Sequence, residues 1–512
     1  MKDANRIPVI VGVGQVNDRP EDPLRGLDSL GLMEAALRAA DTDAGGGWLS
    51  RLDSLAVVDQ LSFRQMGPLP LPLAERLGAR PRILEQTAEA HGHSPVRLLH
   101  EAANRIASGE VEVAAVVGGE ALRTAARRAA LAAGDAPSAH NAATSIGVQA
   151  HAAYRRRYGL NSPVDVYPLY ENAGRAAYGQ TLAEAQRESG EIWSRFSQVA
   201  AGNPGAWIRE PASVEAIVTP SPSNRPIAFP YCKRMVANSA VNQGAGFLVT
   251  SLAKARAHGV PEDRLVYVGR GVAAHEPEDF LARDGYARSP SMAVSLRRTL
   301  ELNGLTVAAL DFVELYSCFP CVPKMARRVL GWPLEKPATV FGGLTFGGGP
   351  IANYMSHAVV SMVQRLREQG RYGLLFGNGG FATHNHSLVL TREPPPAGTL
   401  PQCFEYQAEA DAARGPVPPF VEGATGPGRI ETYTVLYERD GSPRFGVIVG
   451  RGASGERFLA KVPAHDTAGI DFLCDGKEEP VGSEGHAVAG PGGDILWHRT
   501  SPSTDGRVRS SS

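Results

Sequence analysis

Residues 7–15 are apolar at odd and even positions alike, which predicts a strand buried on both faces, as in a parallel sheet. Residues 31–40 carry Leu32, Ala35, Ala36, Leu37 and Ala40 at helical spacing, giving a helix one apolar face. Residues 52–59 predict a second strand. Residues 95–108 predict an amphipathic helix, with Pro95 in its first turn, Ser94 as its cap and Gly109 as its stop. Residues 111–118 predict a third strand, so the order is β-α-β-α-β.

The same series returns downstream. Residues 265–271, 311–315 and 372–377 predict strands, with helices over 291–303 and 352–370 between them. The third strand ends in Gly118-Gly119 in the first series and runs into Gly377-Asn-Gly-Gly380 in the second. Two halves of matched order form an internal repeat. Between them, residues 121–260 hold helical segments at 146–158 and 174–201 and the tyrosines 154, 158, 167, 170 and 178. An insertion hung on strand ends is placed to cover a site. Aromatics at these spacings pack more often than they cage a ligand.

Three prolines at 394–396 stop any regular element. Beyond them the pattern is all-β. Residues 430–437, a turn at Asp440-Gly441 and residues 445–449 predict a hairpin, and 457–462 and 495–498 add strands to a small barrel. The chain thus divides into a first half over 1–120, an insertion over 121–260, a second half over 261–392, a β domain over 393–500 and a tail over 501–512, expected to be disordered.

Composition narrows the function. With 512 residues, 43% hydrophobic and 21% charged, several cores can form. The net charge of −1 and the lack of basic blocks argue against nucleic acid as the partner. No apolar run reaches the length of a membrane span, and the N-terminus enters its first strand without a signal-type segment. Cysteines 232, 318, 321, 403 and 474 are scattered, which suits a reducing cytoplasm.

The chemistry-bearing residues gather at strand ends. One strand runs into Glu314-Leu-Tyr-Ser-Cys-Phe-Pro-Cys321, a glycine-rich segment over 342–354 opens a helix, and a third loop follows at 376–381. Loops at the ends of neighbouring strands meet at one point, where open α/β sheets place ligands. Cys318 and Cys321 match C-x-x-C, but the first follows a buried strand instead of opening a helix, so redox and metal roles are not expected. Gly347 to Gly349 lack the Lys-Ser/Thr of a phosphate loop. His384 and His386 face one side of a strand with no third ligand in sequence, so no metal is expected.

Together these features resemble the thiolase superfamily. Residues 106–121 are similar to the thiolase stretch after the nucleophile helix, and Glu314-Leu-Tyr-Ser-Cys-Phe319 is similar to the Glu-Leu-His-Asp-Cys-Phe of sterol-carrier-type thiolases. With its extra β domain, the whole chain resembles thiolase-like proteins of type 1, often labelled acetyl-CoA acetyltransferases. The resemblance implies an α/β thiolase fold, two βαβαβ halves layered α-β-α-β-α, with a small OB-like β-barrel added. It implies an acyl-CoA thioester as substrate and no cofactor. Thiolases usually dimerise through the first-half strands, and the resemblance leaves that arrangement open for this chain.

The departures fall on the catalytic residues. The nucleophilic cysteine is matched by Gly92 and the second cysteine by Gly377. The Gly-His-Pro histidine falls near Tyr354 or Met355, and the histidine of His-Asp-Cys-Phe is replaced by Tyr316. Thiolysis through an acyl-cysteine is therefore not expected. What the resemblance leaves is an oxyanion site from the amides of Gly377, Asn378, Gly379 and Gly380, substrate contacts from Gly92 and Ser94, and a catalytic set of Tyr316, Tyr354 and His93. Thiolase-fold aldolases carry tyrosines in these two loops and work with a separate small β-barrel protein. Three readings follow. One is a carbon–carbon lyase or ligase acting beside the thioester. The second is a retired homologue that only binds acyl-CoA or a protein. The third is an acyltransferase using His93, Ser94 or Cys318 as nucleophile.

Overall fold

The computed structural model describes residues 3–133, 152–396 and 398–499. The start of the helix expected over 146–158, and the tail over 501–512, lie outside the described residues. Among the described residues, eleven strands precede the proline-rich boundary: β1 (Pro8–Asn17), β2 (Ser54–Val57), β3 (Ile83–Gln86), β4 (Val113–Ala121), β5 (Pro226–Ala228), β6 (Tyr231–Cys232), β7 (Asn242–Ser251), β8 (Val266–His275), β9 (Phe312–Leu315), β10 (Tyr372–Gly379) and β11 (His384–Thr391). Five follow it: β12 (Gly426–Tyr437), β13 (Pro443–Gly452), β14 (Arg457–Pro463), β15 (Glu484–Ala489) and β16 (Ile495–His498).

Nine strands form one sheet in the order β3-β2-β4-β7-β1-β8-β11-β10-β9. The order β2-β4-β7-β1 is repeated by β9-β10-β11-β8, so the two halves are copies of one design. Their joint is thin: β1 and β8 share only the pairs Val9↔Tyr267 and Ile10↔Val266. The helices Ser94–Ser108 and Tyr354–Glu368 pack on each other and against strands of both halves. The helix Ser29–Asp43 covers the outer face of β1, β4 and β7. This is the layered α-β-α-β-α arrangement of the thiolase fold.

Two sequence expectations need correction. β1 is buried on both faces as expected, but it runs antiparallel to both of its neighbours. Burial on both faces comes from the helix layers and carries no information about strand direction. The insertion is also shorter than 121–260. β7 lies at the centre of the sheet between β4 and β1, and the helix Leu252–Ala257 packs beside it. Asn242-Gln-Gly-Ala-Gly at the start of β7 masks it, because polar and glycine residues are poor strand signals.

The C-terminal barrel is closed. β12 pairs with β13 and with β15, which completes the ring β12-β13-β14-β16-β15. The insertion is clamped between barrel and sheet. Thr432 Oγ1 donates to the Leu169 carbonyl at 2.6 Å, and Asn172 Nδ2 donates to the Tyr433 carbonyl at 2.9 Å. Both bonds tie the helix Pro163–Ala177 to β12.

Candidate functional site

The helix Ser94–Ser108 enters the site at its N-terminus. Its cap is His93, with no side-chain cap bond, and Ser94 is its first helical residue, so the cap expected at Ser94 sits one residue earlier. Gly109 ends the helix at φ 73°, a left-handed conformation that glycine adopts without strain. Neither the Gly92 nor the His93 amide has an acceptor among the described residues. Both sit at the positive end of the helix dipole.

Gly377, Asn378 and Gly379 belong to β10 and pair in register with His386, Asn385 and His384. The expected loop is therefore the end of a strand, and only Gly380, at φ 65°, stands beyond the ladder. The Asn378 side chain is committed internally: its Nδ2 donates to Asn385 Oδ1 at 2.9 Å, and its Oδ1 accepts from the Tyr167 hydroxyl at 3.3 Å. The tyrosines of the insertion pin this turn. Tyr167 donates to the Gly380 carbonyl at 3.0 Å and accepts from the Ala382 amide at 2.9 Å, while Tyr170 donates to the Phe381 carbonyl at 2.9 Å.

Tyr316 follows β9, held by its amide to the Phe376 carbonyl at 3.1 Å. A Cβ built on Gly92 would collide with the Tyr316 hydroxyl and the Asn378 carbonyl. One built on Gly379 would press on His91 and His93. The Gly92 turn, the end of β10 and the phenol thus interlock with no room for a side chain at 92. Tyr316 and Tyr354 meet edge to face at 5.8 Å between ring centroids.

Tyr354 is turned inward. Its hydroxyl donates to Glu314 Oε1 at 2.6 Å. Glu314 also accepts from Thr339 Oγ1 at 2.9 Å and the Val340 amide at 2.8 Å. Burial raises the Glu314 carboxyl to about 7 against these donors. Burial drives both phenols well above the usual tyrosine value, so each rests protonated and can donate a proton. A carboxylate inside an otherwise apolar strand was the sequence signal for Glu314.

The thiols are equally inert. Burial pushes Cys318 up to about 12 and Cys321 well above the usual thiol range, so neither is a ready nucleophile. Ser94 is buried at the helix start.

The histidines are arranged differently from expectation. His384 meets His91 at 4.5 Å and His93 at 4.9 Å between ring centroids. His386, two residues on, instead faces His100, with Nε2 3.1 Å from its Nδ1. Thus His384 does have two further imidazoles beside it, delivered by the Gly92 turn from the other half of the chain. Burial first, then the His384 ring, holds His93 well below the ordinary histidine value, so it is a neutral imidazole. Its Nδ1 has no hydrogen-bond partner.

Access falls on the histidine side. His91, Gly380 and His384 are partly exposed, whereas Gly92, Tyr316 and Tyr354 are buried. Two surface clefts lie elsewhere: one between the insertion and the barrel, beside Arg175 and Glu479, the other beside Phe63 and Arg128. Neither opens onto Tyr316. Among the described residues no helix is long and apolar enough to cross a membrane.

Solved structures share this architecture. Human mitochondrial 3-ketoacyl-CoA thiolase in complex with CoA superposes with a TM-score of 0.55 at 14% identity, over 76% of this chain and 98% of that one. The Ltp2-ChsH2(DUF35) aldolase gives 0.58 at 18% identity, over 76% and 98%. The class is that of thiolase-fold proteins. The crystal structure of a monomeric SCP2-thiolase like protein type 1 from Mycobacterium smegmatis is nearer, with a TM-score of 0.79 and 31% identity over 96% of this chain and 99% of that one. Residues 407–489 match the thiolase-like protein type 1 additional C-terminal domain. The chain belongs to the SCP2-thiolase-like protein type 1 family. Acetyl-CoA acetyltransferase IA of Candida tropicalis is 32% identical over 139 residues, and the chain spans about a third of its length, 32%.

Proposed function

We propose that this protein processes acyl-CoA thioesters, making or breaking the carbon–carbon bond next to the thioester by an aldol or Claisen-type step without a covalent cysteine. One observation carries the reading: the Tyr316 phenol fills the side-chain space at Gly92, where thiolases hold their nucleophile. A protonated phenol stands where a thiolate would attack. In the cleavage direction the Cα–Cβ bond breaks and its electron pair moves into the thioester as an enolate. The enolate oxygen is received by the amides of Gly92 and Gly380, donors that need no particular side chain. Tyr316 gives its proton to the α-carbon and recovers the one that the β-hydroxyl releases as it becomes a carbonyl, so the phenol ends protonated as it began. Tyr354 supports the site from beneath through Glu314.

Purified protein incubated with β-hydroxyacyl-, β-ketoacyl- and acetyl-CoA, with and without free CoA, tests the reading. Shortened acyl-CoA plus an aldehyde or ketone, formed without free CoA, supports it. Shortening that requires free CoA means thiolysis and overturns it.

A specific observation favours a second reading, an acyl-CoA-binding homologue without chemistry: the tyrosine pair is sealed, and neither cleft reaches it. Binding of CoA thioesters with none consumed selects that reading. Self-association through the N-terminal thiolase half is also part of the proposal; the M. smegmatis relative is described as monomeric. The compartment proposed is the cytoplasm, in keeping with five free cysteines.

A further inference from the structure

We propose that His91, His93 and His384 form a site for a divalent transition-metal ion of the zinc class at the mouth of the buried centre. The inference is independent of the reaction proposed above. One ligating nitrogen from each of the three imidazoles lies within 4.8 Å of the others. His93 Nδ1 is buried without a hydrogen-bond partner beside these rings, while His91 Nε2 and His384 Nε2 each meet a carboxylate oxygen. Imidazole is the preferred ligand of zinc-class ions, and three of them leave a fourth position open.

Carboxylates complete the set. Glu89 Oε2 lies 2.8 Å from His91 Nε2, and Glu278 Oε1 lies 2.9 Å from His384 Nε2. Two carboxylates beside three imidazoles suit a divalent charge, and either one can supply the fourth ligand. Tetrahedral coordination at about 2.0–2.1 Å from the metal separates ligand atoms by about 3.3 Å. The rings therefore close inward by about 1–1.5 Å on binding. His91 and His384 are the two partly exposed members, His91 just before the Gly92 turn and His384 at the first residue of β11, where side-chain rotation delivers that movement. The third ligand, on a strand of the other half, makes the ion a clasp between the helix N-terminus and β11. His93 is then a ligand, in place of the catalytic role expected from sequence.

The test uses the untagged full chain, stripped with chelator and titrated with cobalt(II), reading the visible d–d bands and the stoichiometry. One equivalent with a tetrahedral spectrum, displaced by zinc, is expected. His93→Ala and His384→Ala should each weaken binding about 100-fold or more, since removing even an outer-shell partner costs 10–100-fold. The exposed His465→Ala should leave it unchanged. If His93→Ala does not fold, as judged by circular dichroism, His384→Gln at the partly exposed position carries the comparison. No cobalt bound, or equal affinity in the folded triad variants and His465→Ala, would overturn the site. Neither result depends on whether the protein turns over a thioester.

Discussion

The Tyr316 hydroxyl fills the space that any side chain at Gly92 would need. The two positions therefore act as one unit, and their substitutions will not add. Gly92→Ala forces the phenol or the Asn378 backbone to move and should cost about 1–3 kcal/mol in urea unfolding. Tyr316→Ala removes one of the two clashes, so the additional cost of Gly92→Ala in the double variant should be smaller than in the wild type, with the Asn378 carbonyl still to be displaced. Additive costs would show that the two residues do not share the space.

Tyr354 supports Glu314 with the shortest of its hydrogen bonds, 2.6 Å. Tyr354→Phe removes that donor from a buried carboxyl while keeping the ring. A loss of about 1–3 kcal/mol in unfolding free energy is expected. The Glu314→Gln/Tyr354→Phe pair should show coupling in a double-mutant cycle, which a Tyr354 acting only as packing would not.

The buried histidines set an acid limit. Burial holds His100 and His357 at about 3, below the 6.5 of an exposed histidine. Their folded-state values are depressed, so the stability they contribute is present above 6.5 and lost as pH falls toward about 3. Buried Glu120 and Glu314, raised to about 7, act in the opposite sense. Their protonated folded forms favour the native state below about 7. Because His93 and His386 are depressed as well, four imidazoles outweigh two carboxyls. Thermal midpoints should therefore fall as pH is lowered from 6.5. His357→Asn should remove up to about 3 kcal/mol of that fall between 6.5 and about 4. An unchanged slope in the variant would show that His357 does not contribute.

The elements legible in the sequence were those that carry their own signals. The helix Ser94–Ser108 has proline at its start and glycine past its end, and β10 and β12 are long apolar or alternating runs. β3 is four residues with mixed exposure, β7 opens in polar and glycine residues, and β15 alternates weakly, so all three were missed. At the site, the meeting of the Tyr316 and Tyr354 loops was legible because strand ends bring loops together, and the Gly92 turn was located through the thiolase resemblance. The Tyr354–Glu314 bond, the Tyr167 clamp on Gly380 and the partners of His384 were not. Each joins residues from separate elements, and no local pattern encodes which side chains meet across the fold.

The central claim is that Tyr316 donates the proton in a reaction beside the thioester. The most direct measurement is turnover and CoA affinity of Tyr316→Phe on whichever thioester the wild-type protein consumes. The account predicts a fall in turnover of about 10²–10⁴ with CoA affinity nearly unchanged. Turnover equal to wild type would contradict it.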